Sequence, residues 1–458
     1  MKTFLVFFST LCSICLAAQS DSISINAKLS ADRKQLSIQQ EITFHNRGNE
    51  VMDSIKLLNW IAAYQSKNTP LAKRKLEDRN ADMHYAKQNE FGGLERLSVQ
   101  IENENITIEN LKQENIFIKL PHSLAPKNSI TIRLDYSLHL PQNKFTGYGY
   151  TKETVLLKYF FLVPDQLYGN LKRNYLDLEE ITNFDTYWKI KIENEAPNYI
   201  YSNLKQLEPN VFATKLSTDP EILISKQSFP TFETEIDGQK INIELGYPID
   251  FYENSRIALD TKQQFQFIKN GIGVLPDKIF ISEKFKNKED FFGNNDIKFW
   301  KLRYALFTPG ENLDLDYFSI FSKKIIGQTF ITNQEKNHWI ANGIKSYLES
   351  EYLSKYYKNA KLLGDLPDTF TIIGLKPLKW FYASDLKLQE RYGLAYQYMV
   401  SQNLDQAIAT PYSHLSNFNV MAISNFETGS IFRFLADKNK SQSLNDFLSD
   451  YSTTNRFR

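Results

Sequence analysis

The residues able to do chemistry are few, and their spacing excludes more than it permits. The six histidines are His45, His84, His122, His139, His338 and His414. No two stand four apart, so the H-E-x-x-H pattern is absent; that pattern sets two imidazoles on one helical face to hold zinc and a Glu as general base. Both cysteines, Cys12 and Cys15, fall in an apolar N-terminal stretch. The rest of the chain therefore has no thiolate nucleophile, disulfide or cysteine-based metal site. No G-x-S-x-G turn accompanies the many serines, which argues against a serine hydrolase. Glu311, Asn312, Asp314 and Asp316 gather oxygen ligands but lack the glycine and spacing of a calcium loop. They are expected to form a solvated loop before a helix. His338 beside Trp339 reads as a helix-entry residue packed on an aromatic ring rather than a surviving ligand. The runs Tyr159-Phe160-Phe161 and Trp380-Phe381-Tyr382 are of the types that line peptide or glycan grooves, with core packing as the default expectation.

The elements that would carry these residues divide the chain in two. Its 458 residues, 42% hydrophobic and 23% charged, are globular in composition and enough for two or three domains. A formal net charge of +1 gives no electrostatic reason to expect nucleic acid or an anionic membrane as partner. Met1 and Lys2, the apolar run Phe4 to Leu16, and Ala17-Ala18-Gln19 form the three-part pattern of a secretory signal peptide over residues 1–18. That run is short for a membrane span, and the residues before Cys15 fit a lipidation box badly. The expectation is export to the periplasm or cell surface, with no integral span after signal removal.

From Ser22 to about Ser228 apolar residues alternate, as in Leu36-Ser37-Ile38 and Ile130-Thr131-Ile132-Arg133-Leu134, with turn residues between runs. This predicts a β-rich sandwich or saddle over 19–240, interrupted by a helical insert at Pro70 to Lys87. Beyond about Ile241 the period becomes helical, over Thr261–Ile272, Ser319–Ile331, Trp339–Lys355 and Tyr392–Ser401. The fold class is α+β, with a mainly helical second domain over 241–458.

The stretch His338-Trp339-Ile340-Ala341-Asn342-Gly343-Ile344-Lys345-Ser346-Tyr347-Leu348-Glu349 resembles the second metal-binding helix of the aminopeptidase N family, peptidase family M1. That family's pattern is W-L-N-E-G-F-A-x-Y-x-E, and its first Glu is a zinc ligand. The chain is similar over most of its length to exported metalloprotease-like proteins of the Bacteroidetes. The similarity rests on Leu58-Asn59-Trp60 with Ala63-Tyr64, Pro70 to Arg74, Lys144-Phe145-Thr146-Gly147-Tyr148-Gly149-Tyr150, Tyr356-Tyr357 with Lys361 to Gly364, and Asn403 to Gln406. The resemblance implies a β-rich N-terminal domain and a thermolysin-like helical domain, C-terminally truncated relative to the family, with zinc as the family cofactor.

Counting back from Gly343 at the family's spacing tests the site. The zinc ligands fall at Ser319, Lys323 and Asn342, and the general base at Ile320. The Y-x-x-G signature, whose hydroxyl stabilises the oxyanion, matches Phe426-Glu427-Thr428-Gly429, and the G-x-M-E-N loop matches Gly293 to Asp296. The implied substrate-binding remnants are Gly293 and Asp296. The resemblance thus implies a non-catalytic homologue with no bound metal, its cleft open to a peptide or protein. The alternative is an active metallopeptidase that recruits Asp296, Asp314 and His338.

Overall fold

The computed structural model describes residues 21–108, 110–165, 182–194, 198–288, 297–299, 302–304, 307–330, 334–415, 419–439 and 445–449. The expected signal peptide, and with it both cysteines, lies outside them.

The first half is built on an eight-stranded sheet. Its central strands are β1 (Ser22–Leu29) and β2 (Gln35–His45), an antiparallel pair with Leu29 facing Leu36. β3 (Met52–Leu58) belongs to a smaller sheet. β4 (Gly93–Ile101), β5 (Glu104–Ile106), β6 (Asn115–Leu124) and β7 (Ser129–His139) follow. Then come β8 (Gly149–Tyr150), β9 (Thr154–Leu157), β10 (Val163–Pro164), β11 (Thr182–Asn194), β12 (Tyr199–Ser202), β13 (Gln206–Glu208), β14 (Val211–Thr218) and β15 (Ile222–Ser225). The large sheet runs β13-β14-β11-β1-β2-β7-β4-β5, with β1 parallel to β11. Sheets β10-β3-β6 and β12-β15-β9-β8 complete the layer.

Alternation explains these strands. In β7, Ile130, Ile132, Leu134, Tyr136 and Leu138 are buried while their neighbours face outward. Gln40 breaks the apolar rule in β2 and is satisfied inside: its amide donates to Leu162 O at 2.6 Å, and Tyr136 Oη donates to its carbonyl at 2.5 Å. Burial pushes the Tyr136 phenol far above its usual range, so it stays a donor.

Three of the stretches that carry the family resemblance, those at 58–64, 70–74 and 144–150, meet in this core. Trp60 makes edge contacts with Tyr64 at 5.1 Å and Tyr159 at 5.2 Å, and Tyr64 Oη is hydrogen-bonded to Thr146 at 2.7 Å. Tyr159-Phe160-Phe161 is therefore core, as expected by default. The helical insert is shorter than its composition predicts. Only α1 (Pro70–Glu77) is helical, capped by Thr69, because Asp78 onward turns away.

A second core gathers on the sheet β16 (Thr231–Ile236), β17 (Gln239–Gly246) and β18 (Lys278–Ser282). Helices α2 (Phe251–Ile272), α3 (Glu283–Lys288), α4 (Pro309–Thr329) and α5 (Gln334–Tyr356) follow in order, with the hairpin β19 (Ile297–Phe299) and β20 (Leu302–Tyr304) before α4. Further along lie α6 (Arg391–Ser401), a π-helix (Val420–Glu427) and α7 (Thr428–Asn439). The helices begin earlier than their apolar period implies because polar caps start them. Asp250 accepts from Glu253 N at 2.7 Å, and Thr308 forms a reciprocal capping box with Glu311, with Pro309 in the first turn. The expected loop at Glu311 to Asp316 is thus the opening of α4. Asp314 is buried there, not solvated.

Helix α4 is buried over most of its surface: Leu315, Tyr317, Phe318, Ile320, Phe321, Ile325 and Ile326 all belong to the second core. Helices α5 and α7 cross closely. A Cβ on Gly343 would lie 2.7 Å from the Phe432 ring, and one on Gly429 would lie 2.7 Å from Ser346 Cβ. Both glycines matched in the family motifs are therefore required by one tight helix crossing. Among the described residues no helix is long and apolar enough to cross a membrane.

Candidate active-site cleft

Helix α4 supplies Ser319, Ile320 and Lys323; α5 supplies Asn342. Ser319 and Lys323, one turn apart, share a face of α4. Ser319 is fully buried, whereas Lys323 and Asn342 are half-buried. Across the helix pair the Lys323 ammonium donates to Asn342 Oδ1. The structure therefore joins directly two of the three residues that the spacing assigned to metal ligands. Ile320, at the position of the base, lies in the apolar core and offers only hydrocarbon.

Phe426 lies on the π-helix. Its ring meets Tyr392 edge-on at 6.3 Å, in a small apolar cluster with Met399 and Ala422. The Tyr392 hydroxyl is bound to the Glu349 carboxylate, and Lys345 approaches Glu349 at 3.5 Å. Glu427, next to Phe426, accepts from Tyr396 Oη at 3.4 Å. Burial, with Asp405 nearby, pushes its carboxyl above the usual range. Phe426 thus stands among apolar side chains with a hydrogen-bonded carboxyl beside it. The π-helix, a rare form frequent at functional sites, has no signature in an apolar period.

Gly293 and Asp296 lie outside the described residues. Of the other proposed recruits, Asp314 is already engaged. It accepts from Gln264 Nε2 at 2.7 Å, Tyr352 Oη at 2.9 Å and Tyr357 Oη at 2.5 Å. His338, just past a kink at Asn337, donates from Nε2 to Thr410 O at 3.1 Å and packs against Tyr412. Its aromatic partner is thus Tyr412. Asp314 reaches α5 at Tyr352, about 20 Å along the helix from His338. The two do not converge.

A cluster that the sequence did not reveal sits behind α4. Glu221, in the turn before β15, lies 3.1 Å from Lys324 Nζ and 3.5 Å from Lys158 Nζ, all three buried. Burial alone would raise its carboxyl. The two ammonium groups, with a hydrogen bond from Ser282, more than reverse this and hold it at about 2. The only outward hint is a lysine pair, Lys323-Lys324, inside an apolar helix.

No protein-family model matches the sequence, and no curated protein matches it. Solved structures do. An M1 zinc metallopeptidase from Deinococcus radiodurans aligns over 95% of this chain and 87% of its own, with TM-score 0.55 and 9% identity. The fold is that of the M1 metallopeptidases. A mutant of the Deinococcus protein bound to a Tyr-Ser-Ala substrate aligns with TM-score 0.52 and 9% identity, over 95% of this chain and 86% of its own. Yeast LTA4 hydrolase aligns with TM-score 0.51 and 9% identity, over 95% of this chain and 62% of its own. At such identity the M1 likeness is one of fold, β-rich sheets first and helices after. Of the residues that the family spacing picks out, Ser319, Lys323 and Asn342 offer an alcohol, an ammonium and a carboxamide, poor donors for the zinc in the neighbour's name, and Lys323 Nζ is hydrogen-bonded to Asn342 Oδ1.

Proposed function

We propose that this chain is an exported, non-hydrolytic protein on the M1 scaffold, binding a peptide or protein segment in its cleft without cleaving it. The observation that carries the reading is the Lys323–Asn342 hydrogen bond between α4 and α5. A cation placed there would have to displace an ammonium that repels it. Hydrolysis needs a metal-bound water, a base to deprotonate it and a donor for the oxyanion. At the matched positions the chain offers Lys323 with Asn342, Ile320 and Phe426 instead. Export rests on the leader-like residues 1–18. The tripeptide that the Deinococcus neighbour binds gives a first probe.

The test has two arms. Purified protein dialysed against trace zinc is expected to retain far less than one equivalent by mass spectrometry of the metal. Tyr-Ser-Ala is expected to remain intact on prolonged incubation, with any binding seen by calorimetry insensitive to chelator. About one equivalent of retained zinc, or chelator-sensitive cleavage, would establish the opposite reading, an active peptidase with unconventional ligands.

A further inference from the structure

Between α5 and α6 the chain leaves an apolar surface uncovered. Ile372 and Leu375 exchange backbone hydrogen bonds of 2.9 Å in both directions, closing a two-residue turn. Its central residues are Ile373, φ +51°, and Gly374, φ +77°. Glycine suits such a turn. Isoleucine does not, because a β-branched side chain is strained in the left-handed region. Ile373 gains nothing inside the fold in return: it is 97% exposed. Strain kept at an exposed tip, without intramolecular benefit, points to a use outside the molecule.

The following residues strengthen the point. Trp380 is 74% exposed, Phe381 61% and Tyr382 80%, and Ile372 and Leu375 are about half exposed. Six large apolar side chains within eleven residues thus face solvent. So many exposed large apolar side chains in one short segment are unusual for a monomer and mark an interaction site. The default expectation that Trp380-Phe381-Tyr382 would pack in the core is not met. The local charge also departs from the neutral balance of the whole chain. No acidic residue occurs from 369 to 384, while Lys376 and Lys379 immediately precede the aromatics. Both lysines reach Asp368 at the base of the segment.

We propose that the segment 372–382 is a peripheral anchor, inserting Ile373, Trp380, Phe381 and Tyr382 into the interfacial layer of a lipid bilayer. A projecting turn, with indole and phenol rings and cationic stems beside it, matches the headgroup boundary, where Trp and Tyr concentrate and Lys can snorkel. Insertion places the strained turn outward and uses none of the residues matched on α4 and α5. The anchor therefore does not depend on whether the protein binds or cleaves peptides.

The test is co-sedimentation of the full chain with phosphatidylcholine vesicles, with and without phosphatidylglycerol. The expected result is binding to both, tighter with phosphatidylglycerol at low salt. Trp380→Ser with Phe381→Ser should weaken binding at least about tenfold. Lys376→Gln with Lys379→Gln should remove only the phosphatidylglycerol preference. Ile373→Gly relieves the turn, so it should raise the melting temperature while weakening vesicle binding, which separates the effect from misfolding. No partition onto either vesicle, or equal partition by the Trp380/Phe381 variant, would overturn the proposal. So would a concentration-dependent dimer abolished by the same variants without vesicle binding, since the patch would then belong to a second copy.

Discussion

Lys323 and Lys324 are neighbours on α4 and meet opposite fates. Lys324 turns back toward the β-rich half, where it is buried against Glu221 with Lys158 alongside. Lys323 turns toward α5, half-buried, and takes an amide oxygen from Asn342. The first contact exchanges full charges in a desolvated seam. The second ties an ammonium to a neutral group, with both partners half-buried. The energetic consequences differ accordingly. Removing one member of a buried ion pair strands the other in low dielectric, whereas a half-exposed hydrogen bond can be replaced by water. The seam between the halves is therefore the expensive contact, and the Lys323–Asn342 hydrogen bond is the tolerant one.

The comparison can be broken most forcefully at the seam. Glu221→Gln deprives two buried ammonium groups of their carboxylate and should cost about 3–5 kcal/mol in denaturant unfolding. A loss below about 1 kcal/mol would place the pair in effective contact with solvent. At the cleft, Ser319→His with Lys323→His and Asn342→Glu replaces the ammonium by zinc donors. Zinc affinity by competition with a chromogenic chelator should rise at least about a hundredfold, about 2.7 kcal/mol. No gain would mean that the three positions do not converge on a common point. Lys323→Met alone should cost only about 1 kcal/mol in stability, and a loss matching that of Glu221→Gln would erase the contrast.

The smallest effect is a pH dependence. Burial first, then the nearby Asp314, pushes the Asp260 carboxyl up to about 6. A carboxyl raised in the folded state binds its proton more tightly there than in the unfolded chain. Its contribution is present at acid pH and is lost as pH rises through about 6. Glu221 has the opposite sign: its contribution is present above the ordinary Glu range and is lost as pH falls toward about 2. Melting temperatures of the wild type between pH 5 and 7 should therefore decline more than those of Asp260→Asn. Parallel curves would remove Asp260 as the source.

Legibility in the sequence followed physical periodicity. The strands of the large sheet were readable because one face is buried and the other wet, so β2 and β7 alternate almost without exception. Helix cores were readable, but their starts were not, because the first turns at Asp250 and Thr308 are polar and only their capping residues mark them. The juxtaposition of Lys323 with Asn342 followed from family spacing alone. Glu221 meeting Lys324 had no such guide: their contact spans the two halves, and neither local period nor motif records it. The run Trp380-Phe381-Tyr382 departs from its core expectation because that expectation holds only where something packs on the rings, and these are largely exposed.

The position of β1 carries a mechanical consequence. It lies in the middle of its sheet, matched over eight residues to β2 on one side and, in parallel, to β11 on the other, where Ser22 faces Tyr187. Tension on its leading end must slide both ladders at once instead of unzipping them one bond at a time. A threading protease that pulls on β1 from Ser22 would have to break both ladders together.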